Sequence, residues 1–152
     1  MINLIVAVSK NGIIGKDGKI PFFYPADKQY FKETTTNKVL IMGRKTYEEI
    51  NHPLKDRFII VLSKTINFND NGIITLTSLD EALKYAKDKE VFIAGGKKLY
   101  EEALKIAQYL YITEIDEIYD GDTYFPSIPN NYQLISENKK DKLNFKLYKK
   151  LN

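Results

Sequence analysis

The residue types able to do chemistry gather around one carboxylate. Asp27 follows two prolines in the stretch Ile20-Pro21-Phe22-Phe23-Tyr24-Pro25-Ala26-Asp27-Lys28-Gln29-Tyr30-Phe31, which is otherwise rich in aromatic rings. Pro25 suits the first position of a helix, where its missing N–H would have no partner. Asp27 then falls in the first turn and shares a face with Phe31, four residues on. An acid held among apolar rings is desolvated, so its pKa rises and it can share or relay a proton. Such a pocket suits a flat, basic heterocycle. On spacing alone a second reading stays open, in which Asp27 only complements the helix dipole from the surface.

Three further junctions point to anion binding. Val39-Leu40-Ile41-Met42 runs through Gly43 into Arg44-Lys45-Thr46, a strand entering a helix with basic residues in its first turn. Free N–H groups there favour negative charge, and arginine adds a bidentate fork. Phe58–Leu62 ends at Ser63-Lys64, which sets a hydroxyl and an ammonium at a strand's end. Val91-Phe92-Ile93-Ala94 is followed by Gly95-Gly96, and paired glycines permit close approach of a pyrophosphate. Together these suit an extended, multiply phosphorylated ligand such as a dinucleotide. The patterns GxGxxG and GxxxxGK[ST] are absent, so such a site is of another type.

Composition narrows the classes. A chain of 152 residues with 43% hydrophobic and 28% charged residues is expected to form one globular domain over 1–152. The net charge of +3 is spread among interleaved acids, which is no nucleic-acid footprint. With no cysteine there is no disulfide framework or thiolate metal site. One histidine argues against a catalytic metal, so none is expected. Runs such as Leu4–Val8 are too short to span a bilayer, and no signal-like segment opens the chain. A cytoplasmic monomer without a membrane partner is expected.

The elements that must position these groups follow from periodicity. Strands are expected at Ile2–Val8, Val39–Met42, Phe58–Leu62, Ile73–Leu76, Val91–Ala94 and Leu110–Ile115. Helices are expected from Pro25 to about Thr35, over Arg44–Ile50, over Leu79–Ala86 capped by Thr77 or Ser78, and over Lys97–Ile106. Ser9–Lys19, with three glycines, reads as a long functional loop, and Asn51–Arg57 as a loop carrying Pro53. Asp120–Pro126 is a turn-rich connection. Tyr132–Glu137 and Asn144–Lys149 alternate and read as a terminal hairpin. The fold class is therefore α/β: a mostly parallel central sheet with helices on both faces and an antiparallel C-terminal hairpin. Ligands of such sheets bind outside the carboxyl ends of the strands, where all the junctions above lie.

These residues, in this order, resemble the dihydrofolate reductase family along nearly the whole chain. The matching segments are Asn11-Gly12-Ile13-Ile14-Gly15, Pro21 to Asp27 with Phe31, and Ile41-Met42-Gly43-Arg44-Lys45-Thr46. Pro53-Leu54 with Arg57, Gly95-Gly96 with Tyr100, Thr113, and Gly121-Asp122-Thr123 with Phe125-Pro126 continue the series.

The resemblance implies hydride transfer from NADPH to the pterin ring of dihydrofolate, with a proton reaching the adjacent ring nitrogen through water. It implies that Asp27 orients the pterin and favours its protonated form, with Thr113 supporting Asp27 and Phe22 and Tyr100 beside the reacting ring. Ile5, Val6, Ala7, Phe31, Ile50, Leu54 and Ala94 would line the substrate cleft. Arg57 would grip the substrate's glutamate carboxylate, and Lys28 would reach the same tail. For NADPH, Gly43, Arg44, Lys45 and Thr46 match one phosphate turn, and Gly95, Gly96, Lys97, Lys98, Leu99 and Tyr100 the other, with a cis Gly95–Gly96 peptide. Arg44, Ser63 and Lys64, with Lys98, would meet the adenosine 2′-phosphate, and Leu62 would also line the cofactor site. Ala7, Ile14, Gly15 and Ile20 would meet the nicotinamide, the last three on a closing loop.

Some positions depart from the family. Phe22 stands where tryptophan is usual, Lys28 where an apolar residue is usual, and His52 with Lys55-Asp56 alters the loop before Arg57. His52 reads as an exposed loop residue. Two rivals remain on sequence: a reductase of the same architecture acting on another nitrogen heterocycle, such as a riboflavin-pathway pyrimidine, and a non-catalytic NADPH- or folate-binding module.

Overall fold

The computed structural model describes residues 1–50 and 54–152. Chain order is β1 (Ile2–Ser9), β2 (Ile13–Gly15), α1 (Pro25–Thr35), β3 (Val39–Gly43), α2 (Arg44–Ile50), β4 (Phe58–Leu62) and β5 (Ile73–Leu76). It continues with α3 (Leu79–Tyr85), β6 (Val91–Ile93), α4 (Lys97–Ala103), β7 (Tyr109–Ile115), β8 (Thr123–Tyr124), β9 (Tyr132–Lys140) and β10 (Leu143–Lys150).

Apolar runs make strands that are dry on both faces, and these become the inner strands of one sheet. Its order is β5-β4-β3-β6-β1-β7-β10-β9. The strands from β5 to β7 pair in parallel, and β10 pairs antiparallel with β7 and β9. Alternation divides β1 between two cores. Leu4, Val6 and Val8 join Leu79 and Ala82 of α3 and Leu99 and Ala103 of α4 on one face. Ile5 joins Leu40, Met42 and Phe92 on the other, where Phe31 of α1 and Tyr47 and Ile50 of α2 pack. Insertion of β6 between β3 and β1 opens the crevice in which such sheets take ligands.

The expected loop over Ser9–Lys19 contains a strand. β2 pairs antiparallel with β8, which lies in the connection read as turns, forming a second small sheet. Strands of three and two residues carry too little periodic signal to be seen. α4 ends at Ala103 instead of Ile106 because the following N–H groups turn back tightly. Lys105 bonds Glu102 O at 3.2 Å and Ile106 bonds Ala103 O at 3.0 Å, a 3₁₀-type closure. The hairpin strands run longer than expected, to Lys140 and from Leu143. At α3, Ser78 is the cap, accepting from Glu81 N at 3.1 Å, while Glu81 Oε1 accepts from Thr77 N. His52 and Pro53 lie outside the described residues.

Candidate active site

Pro25 occupies the first turn of α1 behind the N-cap residue Tyr24. The Tyr24 carbonyl accepts from Asp27 N and Lys28 N, each at 3.0 Å. This sets Asp27 on the helix's inner face, half-buried, where the Thr113 side chain hydrogen-bonds its carboxyl. Burial pushes the Asp27 pKa up, and the Thr113 bond opposes it. Thr113 is itself 2% exposed on β7, paired with Ala7 of β1. Ala7 is half-buried at the carboxyl end of β1, and Ile5 two residues earlier is covered by the same face.

Phe31, Ile50, Leu54 and Ala94 are half-buried apolar groups packed on the cluster that contains Ile5, on the same face of the sheet. Val6 does not join them through its side chain. It packs into the core on the opposite sheet face, because β1 alternates. Phe22 is half-buried with its ring edge-on to Tyr119 at 5.1 Å. Lys28 is exposed, its ammonium 4.6 Å from the centre of the Phe23 ring.

Arg57 is half-buried at the far end of α1. Its Nη1 donates to Thr35 Oγ1 at 3.3 Å and its Nε to Lys55 O at 3.0 Å, while the Thr35 hydroxyl donates to Phe31 O at 2.8 Å. Among the described residues no carboxylate forms an ion pair with Arg57. Burial lowers its pKa from the ordinary value, against the charge of Asp56. A half-buried guanidinium without a protein carboxylate is suited to one from a ligand.

The glycine corner adjoins the cleft. The Gly95–Gly96 peptide is cis, as the resemblance implies, and Gly95 has φ +106°, which disfavours any side chain. Gly43 N donates to Gly95 O at 2.8 Å, joining the two glycine-bearing turns. A Cβ on Gly96 would find only Thr46 Oγ1, 3.8 Å away, and would project into the corner's open space. Tyr100 Oη donates to Ile5 O at 2.9 Å and would lie 3.2 Å from a Cβ on Gly95, so this buried ring links corner and cleft. Burial, and next the charge of Asp27, raise the Tyr100 pKa.

Arg44 Nη1 holds Glu48 Oε1 at 2.7 Å. The Ser63 hydroxyl oxygen accepts from Thr65 N and Ile66 N, which fixes the turn after β4 next to half-buried Leu62. Lys45, Lys64, Lys97 and Lys98 are exposed around the corner. Leu99 is buried in the core, so only its main chain can face the corner. Glycines that leave room, an arginine, and flanking ammonium groups fit a dinucleotide phosphate chain.

Across the cleft mouth, Ile14 packs against the core and Gly15 O accepts from Asp122 N at 3.1 Å. Asp17 N donates to Asp122 Oδ2 at 3.0 Å, and Ile20 N to Glu49 Oε1 at 2.7 Å. Glu49 and the partners of Tyr24, described below, were not singled out by the sequence. Their contacts span 29 and 93 residues, and no local pattern marks them.

A mostly parallel α/β sheet whose carboxyl ends carry one half-buried acid among apolar groups, beside a glycine corner, suits a pyridine-nucleotide-dependent reductase. Residues 1–150 match the family model described as dihydrofolate reductase. The chain is 36% identical over its full length to the dihydrofolate reductase of Bacillus subtilis, covering 96% of that protein. It is 42% identical to that of Haemophilus influenzae over 83% of this chain and 79% of the relative. A solved structure of the Enterococcus faecalis dihydrofolate reductase, complexed with NADP(H) and RAB-propyl, superposes with TM-score 0.90 at 31% identity, covering 100% of this chain and 97% of that one. The chain belongs to the dihydrofolate reductase family. Its reaction is the NADPH-dependent reduction of dihydrofolate to tetrahydrofolate.

Proposed function

We propose that Asp27 performs the proton side of this reduction while Arg57 and the glycine corner hold the two ligands. Bound NADPH supplies the hydride. Asp27 accepts hydrogen bonds from the pterin's exocyclic amine and adjacent ring nitrogen, and so fixes the ring in the cleft formed by Ile5, Ala7, Phe31, Ile50, Leu54 and Ala94. A carboxylate facing that edge favours a protonated ring, and the proton arrives at the nitrogen beside the hydride-accepting carbon through water. Thr113 holds the carboxyl in orientation. Arg57, pre-positioned by Thr35, takes the glutamate carboxylate of the substrate. Gly43 to Thr46 and Gly95 to Tyr100 cradle the phosphates; Arg44, Ser63 and Lys64 select the 2′-phosphate of NADPH.

The observation that carries this reading is the half-buried, Thr113-bonded carboxyl of Asp27, with Tyr100 tying the neighbouring strand β1 to the glycine corner. Residues 1–152 act as one unit, a cytoplasmic monomer. No described helix is long and apolar enough to cross a membrane. The test is consumption of NADPH by wild type and Asp27→Asn, with NADPH affinity measured separately. Turnover at neutral pH collapses in the variant while NADPH affinity is unchanged; equal turnover in the two proteins contradicts the role.

A further inference from the structure

We propose that Glu117 is a positioning residue for the reduction, acting through Tyr24 on the first turn of α1 and through Tyr119 on Phe22. Glu117 lies in the connection after β7, far from Asp27 in sequence, yet two hydrogen bonds through Tyr24 join them. The Tyr24 hydroxyl donates to Glu117 Oε1. The same hydroxyl lies 2.6 Å from the Tyr119 hydroxyl. The Tyr24 main-chain carbonyl, at the other end of the residue, accepts the Asp27 N–H at 3.0 Å.

Tyr24 is thus clamped by its side chain and bears on the acid by its backbone. α1 lacks any side-chain hydrogen bond at its N-cap. What fixes this helix start is the tyrosine's anchorage instead of a capping side chain. Tyr119 extends the brace to the cleft, its ring edge-on to Phe22 at 5.1 Å. Its own backbone is held at both ends by Asn11, at 3.1 Å through N–H and 2.8 Å through C=O. Glu117 is fixed in turn by Lys142 Nζ at 3.2 Å. That ion pair is largely exposed and contributes little alone. The Tyr24 and Lys142 bonds hold the Glu117 pKa below its ordinary value, so at neutral pH it is the charged acceptor. A charge-assisted bond of this kind is about twice as strong as a neutral one. Small displacements of a group facing the substrate are costly to catalysis, so a rigid origin for α1 is a kinetic asset.

This inference rests on the reading of Asp27 as the pterin-holding acid. Its test compares Tyr24→Phe, Glu117→Ala, Glu117→Gln and Asp27→Asn with wild type, recording KM for dihydrofolate, turnover, NADPH affinity and thermal midpoint. Tyr24→Phe and Glu117→Ala are expected to raise KM for dihydrofolate roughly tenfold, the low end of the range for one hydrogen bond to a charged group, with NADPH affinity unchanged. Glu117→Gln retains an acceptor for Tyr24 and is expected to recover most of the loss. A fall in thermal midpoint with KM and turnover unmoved in both variants overturns the inference, leaving a merely structural brace. If Glu117→Ala does not fold, Tyr24→Phe decides by the same criterion. Asp27→Asn separates the two claims: if its turnover equals wild type, the reading of Asp27 fails whatever Glu117 does.

Discussion

The hydroxyl of Tyr100 donates to the main-chain carbonyl of Ile5 across 95 residues, at 2.9 Å. That bond ties α4, which begins at the glycine corner, to the central strand that floors the cleft. Removing it leaves a buried carbonyl without its partner, a cost of about 1–3 kcal/mol. Tyr100→Phe is therefore expected to lower the thermal midpoint and slow hydride transfer, because corner and cleft lose their fixed separation. Single-turnover kinetics beside a melting curve check both.

Among the described residues no carboxylate pairs with Arg57, which we propose takes the substrate's glutamate carboxylate. Truncation in Arg57→Ala is expected to raise KM for dihydrofolate by about 10–150-fold, the range for one charged hydrogen bond at 1.5–3 kcal/mol. Arg57→Lys is expected to recover little, since an ammonium lacks the planar fork. Thr35→Val removes the hydroxyl at Nη1 and is expected to show a smaller rise. Steady-state kinetics with NADPH saturating measure all three.

On the proposed roles of Arg44, Ser63 and Lys64, coenzyme choice rests on charge at the corner. Loss of Arg44 and Lys64 together is expected to weaken NADPH while leaving NADH little changed, bringing the two toward parity. The wild-type preference is also expected to shrink as salt rises, because exposed charges are screened. Affinities for both coenzymes at two ionic strengths settle the point.

Gly121 leaves no room for a side chain. A Cβ there would lie 2.5 Å from Ile13 Cγ2 and 2.7 Å from Gly15 O, both in β2. Backbone does not yield cheaply, so Gly121→Ala is expected to push the β2–β8 flap off its seat. Turnover is expected to fall with KM for dihydrofolate little changed. Comparing burst and steady-state rates detects the displaced flap.

The main elements were legible because buried parallel strands are written as continuous apolar runs. Val39–Met42 and Phe58–Leu62 leave little room for another reading, and Pro25 marks the start of α1. Asp27, Arg57 and the glycine corner were legible as family motifs, and the structure sets the Thr113 side chain on the Asp27 carboxyl. Side-chain direction was less so. Val6 follows Ile5 in the same run, and only strand alternation sends it to the opposite core. For Lys28, nothing in the sequence signalled that its ammonium would lie over the neighbouring Phe23 ring. The braces at Glu49 and Glu117 left no local trace, since a surface glutamate in a loop or short helix looks the same whether or not a distant N–H or hydroxyl meets it.

Burial of Asp27 has a thermodynamic signature. Its folded pKa is raised above the unfolded value of about 3.9, so between those two values the native state holds more protons than the unfolded chain. Its contribution to stability therefore declines as pH rises through that window, and the ionised, partly desolvated carboxylate is a net burden at neutral pH. Asp27→Asn is expected to melt higher than wild type at pH 7. The difference closes below about pH 4, where the acid is protonated in both states. Thermal midpoints across that range give the sign.

The most direct test is the rate of hydride transfer at neutral pH in Asp27→Asn, with both ligands saturating. A loss of at least about 10²-fold is expected, the scale of a positioned proton-handling group. A variant that transfers hydride at the wild-type rate would contradict the assignment of the protonation step to this cleft.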